Sequence, residues 1–166
     1  ALKGILKKFV SLEGLMSKSR GETGKRPLWP SLDQFAYLIL RPIDKEDLAR
    51  TRMGHLVPRP AKGSQVERLH LFLKAVTRSV DGGDLGLWSV LRPNDLNLPL
   101  NARILSYARL LKLTQHEKPD RGACIDLSNQ LRKVHPHDPT LAHTAFLRMI
   151  QQDWSADDLR DRFRSI

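Results

Sequence analysis

Between Ser64 and Gly83 the apolar residues Val66, Leu69, Leu73, Val76 and Val80 recur every three or four positions and stop at Asp81-Gly82-Gly83. That spacing draws one continuous stripe along a helix; a strand would need alternation at every second residue. Ser64 and Glu67 have the form of a capping box, which satisfies free amides at a helix start.

The same period governs most of the chain. Ser31 with Gln34 opens a predicted helix that carries Leu32, Phe35, Leu38 and Ile39 and stops at Arg41-Pro42. Asp44 to Arg52 reads as a short helix with acids in its first turn and Arg50 and Arg52 in its last, as the helix dipole favours. A helical turn over Leu85 to Leu91 and the loop RPNDLNLPLN lead to a helix from Ala102 to Gln115, with Ile104, Leu105, Ala108 and Leu111 at core spacing. Residues 122 to 134 offer Ile125, Leu127, Leu131 and Val134. Asp138-Pro139 forms a cap and first helical position before Ala142, Phe146, Leu147 and Ile150, and Ser155 with Asp158 caps a last helix ending near Phe163. Strand-period runs are few. The expected fold class is all-α, a compact irregular bundle of about seven to nine short helices.

At 166 residues the chain has the length of one domain, able to bury a core without disulfides or a metal. Cys124 is the only cysteine, so no intramolecular disulfide forms, and its neighbours Ala123 and Ile125 suggest a small buried hydrophobe. The longest local apolar run, FAYLIL at 35–40, falls short of the ~18 residues that span a bilayer. No repeat of 20–50 residues, sustained heptad or low-complexity tract is present.

Residues 1–20 have a distinct composition. Leu2, Ile5, Leu6, Phe9, Leu12 and Met16 share one side of a helix drawn over residues 2–18, with lysines flanking or opposite. Gly21, Gly24 and Pro27 break the pattern, so the expected organisation is a basic helix at 1–20, a Gly/Pro hinge at 21–30 and one helical domain at 31–166. A secretory signal would need an uninterrupted apolar core, and Glu13 with the scarcity of arginine counts against a mitochondrial presequence. Basic amphipathic helices lie in the interface of acidic membranes, which makes Lys3, Ile5, Leu6, Lys7, Lys8, Phe9, Leu12, Met16, Lys18 and Arg20 the candidate membrane-binding residues. Packing of the same stripe on the chain's own helices is the competing use.

The formal charge of +10 points to polyanionic partners, and residues 1–26 hold seven Lys or Arg against two Glu. Beyond the first helix, Lys25, Arg26, Arg41, Arg50, Arg52, Arg59 and Lys62 are candidate contacts to nucleic acid or another polyanion, the last two within the Pro-rich loop VPRPAKGS. Trp29 and Tyr37 are the aromatics near this group. No zinc finger, RNP motif, KH loop or recognition helix is visible.

Motifs for chemistry are wanting. GETGK departs from a phosphate-binding loop, having Arg26 where Ser or Thr is needed and no preceding strand. His135, His137, Asp138 and His143 are the densest group of metal-ligand types, but their spacing fits no zinc pattern, and the segment reads as a turn with a helix cap. There is no Gly-x-Ser-x-Gly elbow, and the acids of 44–47 and 153–158 sit where helices begin. No catalytic residue, cofactor or metal is assigned, and an enzyme is not expected. The leading expectation is a non-catalytic structural or adaptor protein on acidic membrane lipids, self-assembling in the manner of a matrix or coat. A nucleic-acid-binding or nucleoprotein component is the alternative, and an effector or regulatory module docking on an acidic protein is the second. The matching location is cytoplasmic and peripheral to a membrane, with virion or nucleus as the others.

Overall fold

The computed structural model describes residues 10–21, 23–24, 26–41, 57, 59–60, 66–79, 84–155, 157–159 and 161. The α-helices with both ends among them are α1 (Leu12–Ser19), α2 (Leu28–Leu40), α3 (Glu67–Thr77), α4 (Ala102–Leu110), α5 (Arg121–Val134) and α6 (Ala142–Gln151), and residues 157–159 and 161 are helical as well. Short 3-10 turns occupy Pro93–Asp95 and Pro139–Leu141, and no β-strand occurs among the described residues. The fold is all-α. α1 packs on α2, α4 on α6, and α5 against the Pro139–Leu141 turn.

The stripe that defined α3 is its buried face: Val76 is buried, and Leu69 and Leu73 enter one core shared with Leu15, Leu32, Phe35, Leu98, Ile104, Leu127 and Phe146. Full burial of such side chains is worth ~1.5–3 kcal/mol each. Val80 and Ser64 lie outside the described residues, and the helix at 44–52 falls wholly outside them.

α1 departs from the expected helix over 2–18. Val10 has a φ of +64°, and Ser11 is the N-cap, its hydroxyl accepting from the Gly14 amide at 3.0 Å, so the helix begins at Leu12. Its apolar face is spoken for. Leu15 and Met16 are fully buried and Leu12 packs against the core. Of the expected hinge at 21–30, Leu28–Pro30 already belong to α2; ahead of them, Arg20 Nη1 donates to the Arg26 carbonyl at 3.0 Å and Arg26 Nη1 to the Ser19 carbonyl at 3.3 Å. Proline is tolerated in that first turn because the amide it lacks has no intrahelical partner there. Ser31 is therefore no cap; its hydroxyl donates to the Pro27 carbonyl at 2.9 Å from inside the helix.

Residues 85–91 are not helical either. The segment runs back along α3, where the Leu85 and Trp88 amides donate to the Ala75 and Val76 carbonyls at 2.6 and 2.8 Å and so cap the helix end. Gly86, at φ +58°, makes the turn possible, since a Cβ there would stand 2.7 Å from Ser79 Cβ. Trp88 then packs edge-on against Phe72 and Phe35, joining α2 to α3. Glu13 of α1 fastens the far end by accepting from the Ser89 and Val90 amides at 2.6 and 3.1 Å; the Ser89 amide bond is the main cause that lowers its carboxyl pKa.

The loop RPNDLNLPLN is core. Leu96, Leu98 and Leu100 are all at or below 1% exposure. Its extended backbone borrows partners from α5: the Leu98 amide donates to Ser128 Oγ at 2.9 Å, and the Leu96 carbonyl accepts from Arg132 Nη2 at 2.6 Å. Cys124 is fully buried beside it, and burial pushes its thiol pKa up to about 12.

Candidate functional site

Residues 111–120 connect α4 to α5, and each helix carries a polar face next to this connection. On α5, Ala123, Cys124, Leu127, Ser128 and Leu131 are buried, which leaves Asp126, Asn129, Gln130 and Lys133 together on the opposite, exposed side at i, i+3, i+4, i+7. On α4, Ile104, Leu105, Tyr107 and Ala108 face the core, while Ser106, Arg109 and Leu110 are exposed.

The end of α4 sets the geometry between them. Leu113 donates its amide to the Ala108 carbonyl and Lys112 to that of Arg109, both at 2.9 Å, the two bonds of a Schellman motif. Lys112 occupies the left-handed position of that motif, with φ +57°. Glycine is the usual occupant; a side-chain-bearing residue there costs ~1 kcal/mol of strain. Asp120 caps α5 by accepting from the Ala123 amide at 2.9 Å. Arg121 lays its guanidinium over the Trp29 ring, 5.3 Å from the centroid.

Two adjoining concavities result. One, of about 420 Å³, is lined by Lys112, Leu113, Thr114, Gln115, His116, Asp126, Asn129, Gln130 and Lys133. The other, of about 470 Å³, is lined by Ser106, Arg109, Leu110, Lys112, Thr114 and Gln115. Lys112, Thr114 and Gln115 form the ridge between them. Three cations, three amide side chains and two hydroxyls thus face one open surface. Asp126 is the only carboxylate in either lining, and it is held by His116, Nε2 to Oδ2 at 2.7 Å. Arg109, Lys112 and Lys133 have no ion-pair partner among the described residues. Such a surface offers charge and hydrogen-bond donors to phosphate oxygens.

The expected polyanion residues fare differently. Arg59 is paired with Asp33 at 2.9 Å and lies over Tyr37, 5.7 Å from its ring centroid. Arg26 is exposed but engaged with the Ser19 carbonyl, and Arg41 is exposed at the end of α2. Lys25, Arg50, Arg52 and Lys62 lie outside the described residues. Of the membrane set, Lys3, Ile5, Leu6, Lys7, Lys8 and Phe9 lie outside them too. Met16 is corrected to a core residue, Arg20 pairs with Asp95 at 3.6 Å, and only Lys18 of the described set is fully on the surface. Trp29 is 6% exposed and packs edge-on against His70. No helix among the described residues is long and apolar enough to cross a membrane.

A second concentration of charge lies at the C-terminal end of α3. Arg78, with no exposed surface, donates from Nε to Asp138 at 2.6 Å and from Nη1 to Asp84 at 2.9 Å; Lys74 completes the set on Asp84 at 3.1 Å. Asp138, considered above as a metal-ligand type, thus spends its oxygens on Arg78 and on Thr140, whose amide and hydroxyl donate to Oδ1. His143 is buried beside this group, and burial with the charges of Lys74 and Arg78 lowers its imidazole to about 4. No group of three or more His, Cys, Asp or Glu side chains among the described residues is arranged to hold a metal ion.

A model of a protein family described only as "Protein of unknown function (DUF2400)" matches residues 1–151, from the first residue through the end of α6. No curated protein and no solved structure matches the chain.

Proposed function

This chain belongs to the DUF2400 family of unknown function, and we propose that it is a non-catalytic binding protein whose groove along the α4–α5 connection takes the phosphate backbone of a nucleic acid. The observation that carries this reading is the unneutralised set Arg109, Lys112 and Lys133 on one open surface, interleaved with Gln115, Asn129 and Gln130. Lysine and arginine supply the salt-dependent attraction, and amides and hydroxyls fix the position of phosphate oxygens. The lining contains no Phe, Tyr or Trp on which a base could stack, so the contacts favour the backbone and little sequence preference is expected. Burial of Leu15 and Met16 argues in the same direction, because it removes from the described part of α1 the apolar face that membrane insertion requires.

Titration with short RNA and DNA oligonucleotides at two salt concentrations tests the reading. Binding that weakens with salt is expected. In the double variant Lys112→Gln with Lys133→Gln, it should fall by about tenfold and the salt slope should drop by about two. Equal binding by wild type and double variant would overturn it, and binding only to vesicles of acidic lipid would return the membrane expectation to first place.

A further inference from the structure

We infer that the His116–Asp126 pair makes this groove a proton-coupled anion site, in which docking of a phosphate group takes up one proton at His116 Nδ1; the inference rests on the phosphate-binding reading above. His116 Nε2 lies 2.7 Å from Asp126 Oδ2, and a nitrogen bonded to a carboxylate carries its hydrogen there in both the neutral and the charged ring. Nδ1 is then the atom that changes. It has no hydrogen-bond partner among the described residues, and the pair is open to solvent, with 35% of the His116 and 61% of the Asp126 side chain exposed.

In the neutral ring, Nδ1 presents a lone pair, and an approaching phosphate oxygen meets it as a second acceptor. Once protonated, the same atom is a donor to that oxygen, and the imidazolium cancels Asp126, the single acid of the lining. With Lys112 and Lys133 counted, this concavity then passes from a net charge of +1 to +2. The groups that face the ring from the packed elements are Lys112 at the end of α4, Asp126 and Lys133 on α5, and Asp120 at the α5 cap. A Cβ placed on Gly122 would stand 3.3 Å from Asp120 Oδ1 and 3.6 Å from His116 Cε1. Glu117 and Lys118 are exposed neighbours in the same loop and offset each other. Protonation and phosphate binding each favour the other, and linkage requires the two effects to be equal.

The test is the affinity for one short DNA oligonucleotide at fixed salt, measured from about pH 8 to about pH 5.5, across the range where an imidazole titrates. Wild type should tighten by roughly tenfold as pH falls, the scale of one added charge on phosphate. His116→Gln should lose most of that gain while still binding at pH 8. Asp126→Asn should bind more tightly than wild type at pH 8, the acid being gone. Circular dichroism at each pH confirms that the folded state is being measured. The His116 ring proton signal supplies an independent readout, and its titration should move to higher pH on addition of the oligonucleotide. If His116→Gln keeps the wild-type pH dependence, the exposed His135 and His137 are responsible and the inference fails. An unmoved His116 titration sinks it equally. Binding unaffected by the Lys112 and Lys133 changes would instead defeat the underlying groove reading, whatever the pH profile.

Discussion

Arg78 and Lys112 each stand just past the end of a helix, one after α3 and the other after α4, in opposite surroundings. Arg78 has no exposed surface and two aspartates within 3 Å, whereas Lys112 is exposed, has no ion-pair partner among the described residues and occupies a strained left-handed position. The difference separates two uses of positive charge. A buried cation surrounded by carboxylates ties elements of the fold together; an exposed one left without an acid, on a backbone conformation better suited to glycine, is the kind of group that the proposed phosphate binding would use.

The strongest way to break this comparison is to remove the buried member. Arg78→Ala would leave Asp84 and Asp138 as uncompensated charges in low dielectric, where breaking one partner of a buried pair costs about 3–5 kcal/mol. Urea unfolding should show that loss as a lower midpoint, with nucleic-acid binding unchanged wherever the variant remains folded. A shift under about 1 kcal/mol would mean that the group is surface-like and that the contrast is empty.

Acid should act at this region and at the start of α3. His143, beside Lys74 and Arg78, is lowered to about 4, and His70, buried against Trp29, is lowered by burial to about 3. Both are neutral when folded, while an unfolded imidazole takes up its proton near pH 6.5. Below that point the unfolded chain binds protons that the folded chain does not. Stability is therefore complete above about pH 6.5 and declines as pH falls towards the two lowered values, at about 1 kcal/mol per pH unit for each histidine. Unfolding midpoints that stay flat from about pH 6.5 to 5 would show both rings free to charge in place. The expected sign is opposite to the one proposed above for binding at the groove.

Sequence period made the helices legible because burial imposes it directly: the α3 stripe from Val66 to Val76, the Asp138-Pro139 cap and the reciprocal Ser155 and Asp158 bonds stand in the structure as read, although α3 starts from Val66 as its N-cap. What escaped was fixed by partners far along the chain. Leu96 to Leu100 resembles a loop because its backbone is satisfied by Ser128 and Arg132, some thirty residues away, and no local pattern announces that. Leu85 to Leu91 carries apolar residues suited to a helical turn, yet its amides serve the carbonyls of α3 instead. The groove was the least legible part. Its members come from the polar faces of two helices that read as ordinary solvated surfaces, and only the Schellman turn at Lys112 brings them to one place. The dense basic segment drew attention by charge alone, which cannot distinguish Arg59, already paired with Asp33, from a cation awaiting a ligand.

The smallest expected effect is the sharpest, because it asks one residue to move stability and binding in opposite directions. Glycine at position 112 would relieve the strain of a φ of +57° while keeping both Schellman hydrogen bonds, which belong to the backbone. Lys112→Gly should therefore raise the unfolding free energy by up to about 1 kcal/mol, and it should weaken oligonucleotide binding severalfold through loss of one phosphate contact. Lys112→Gln keeps the strain and loses only the charge, so it should weaken binding similarly with stability unchanged within about 0.5 kcal/mol. If Lys112→Gly is less stable than wild type, the lysine side chain is contributing to the fold. Position 112 would then belong with Arg78, among the cations that hold the protein together.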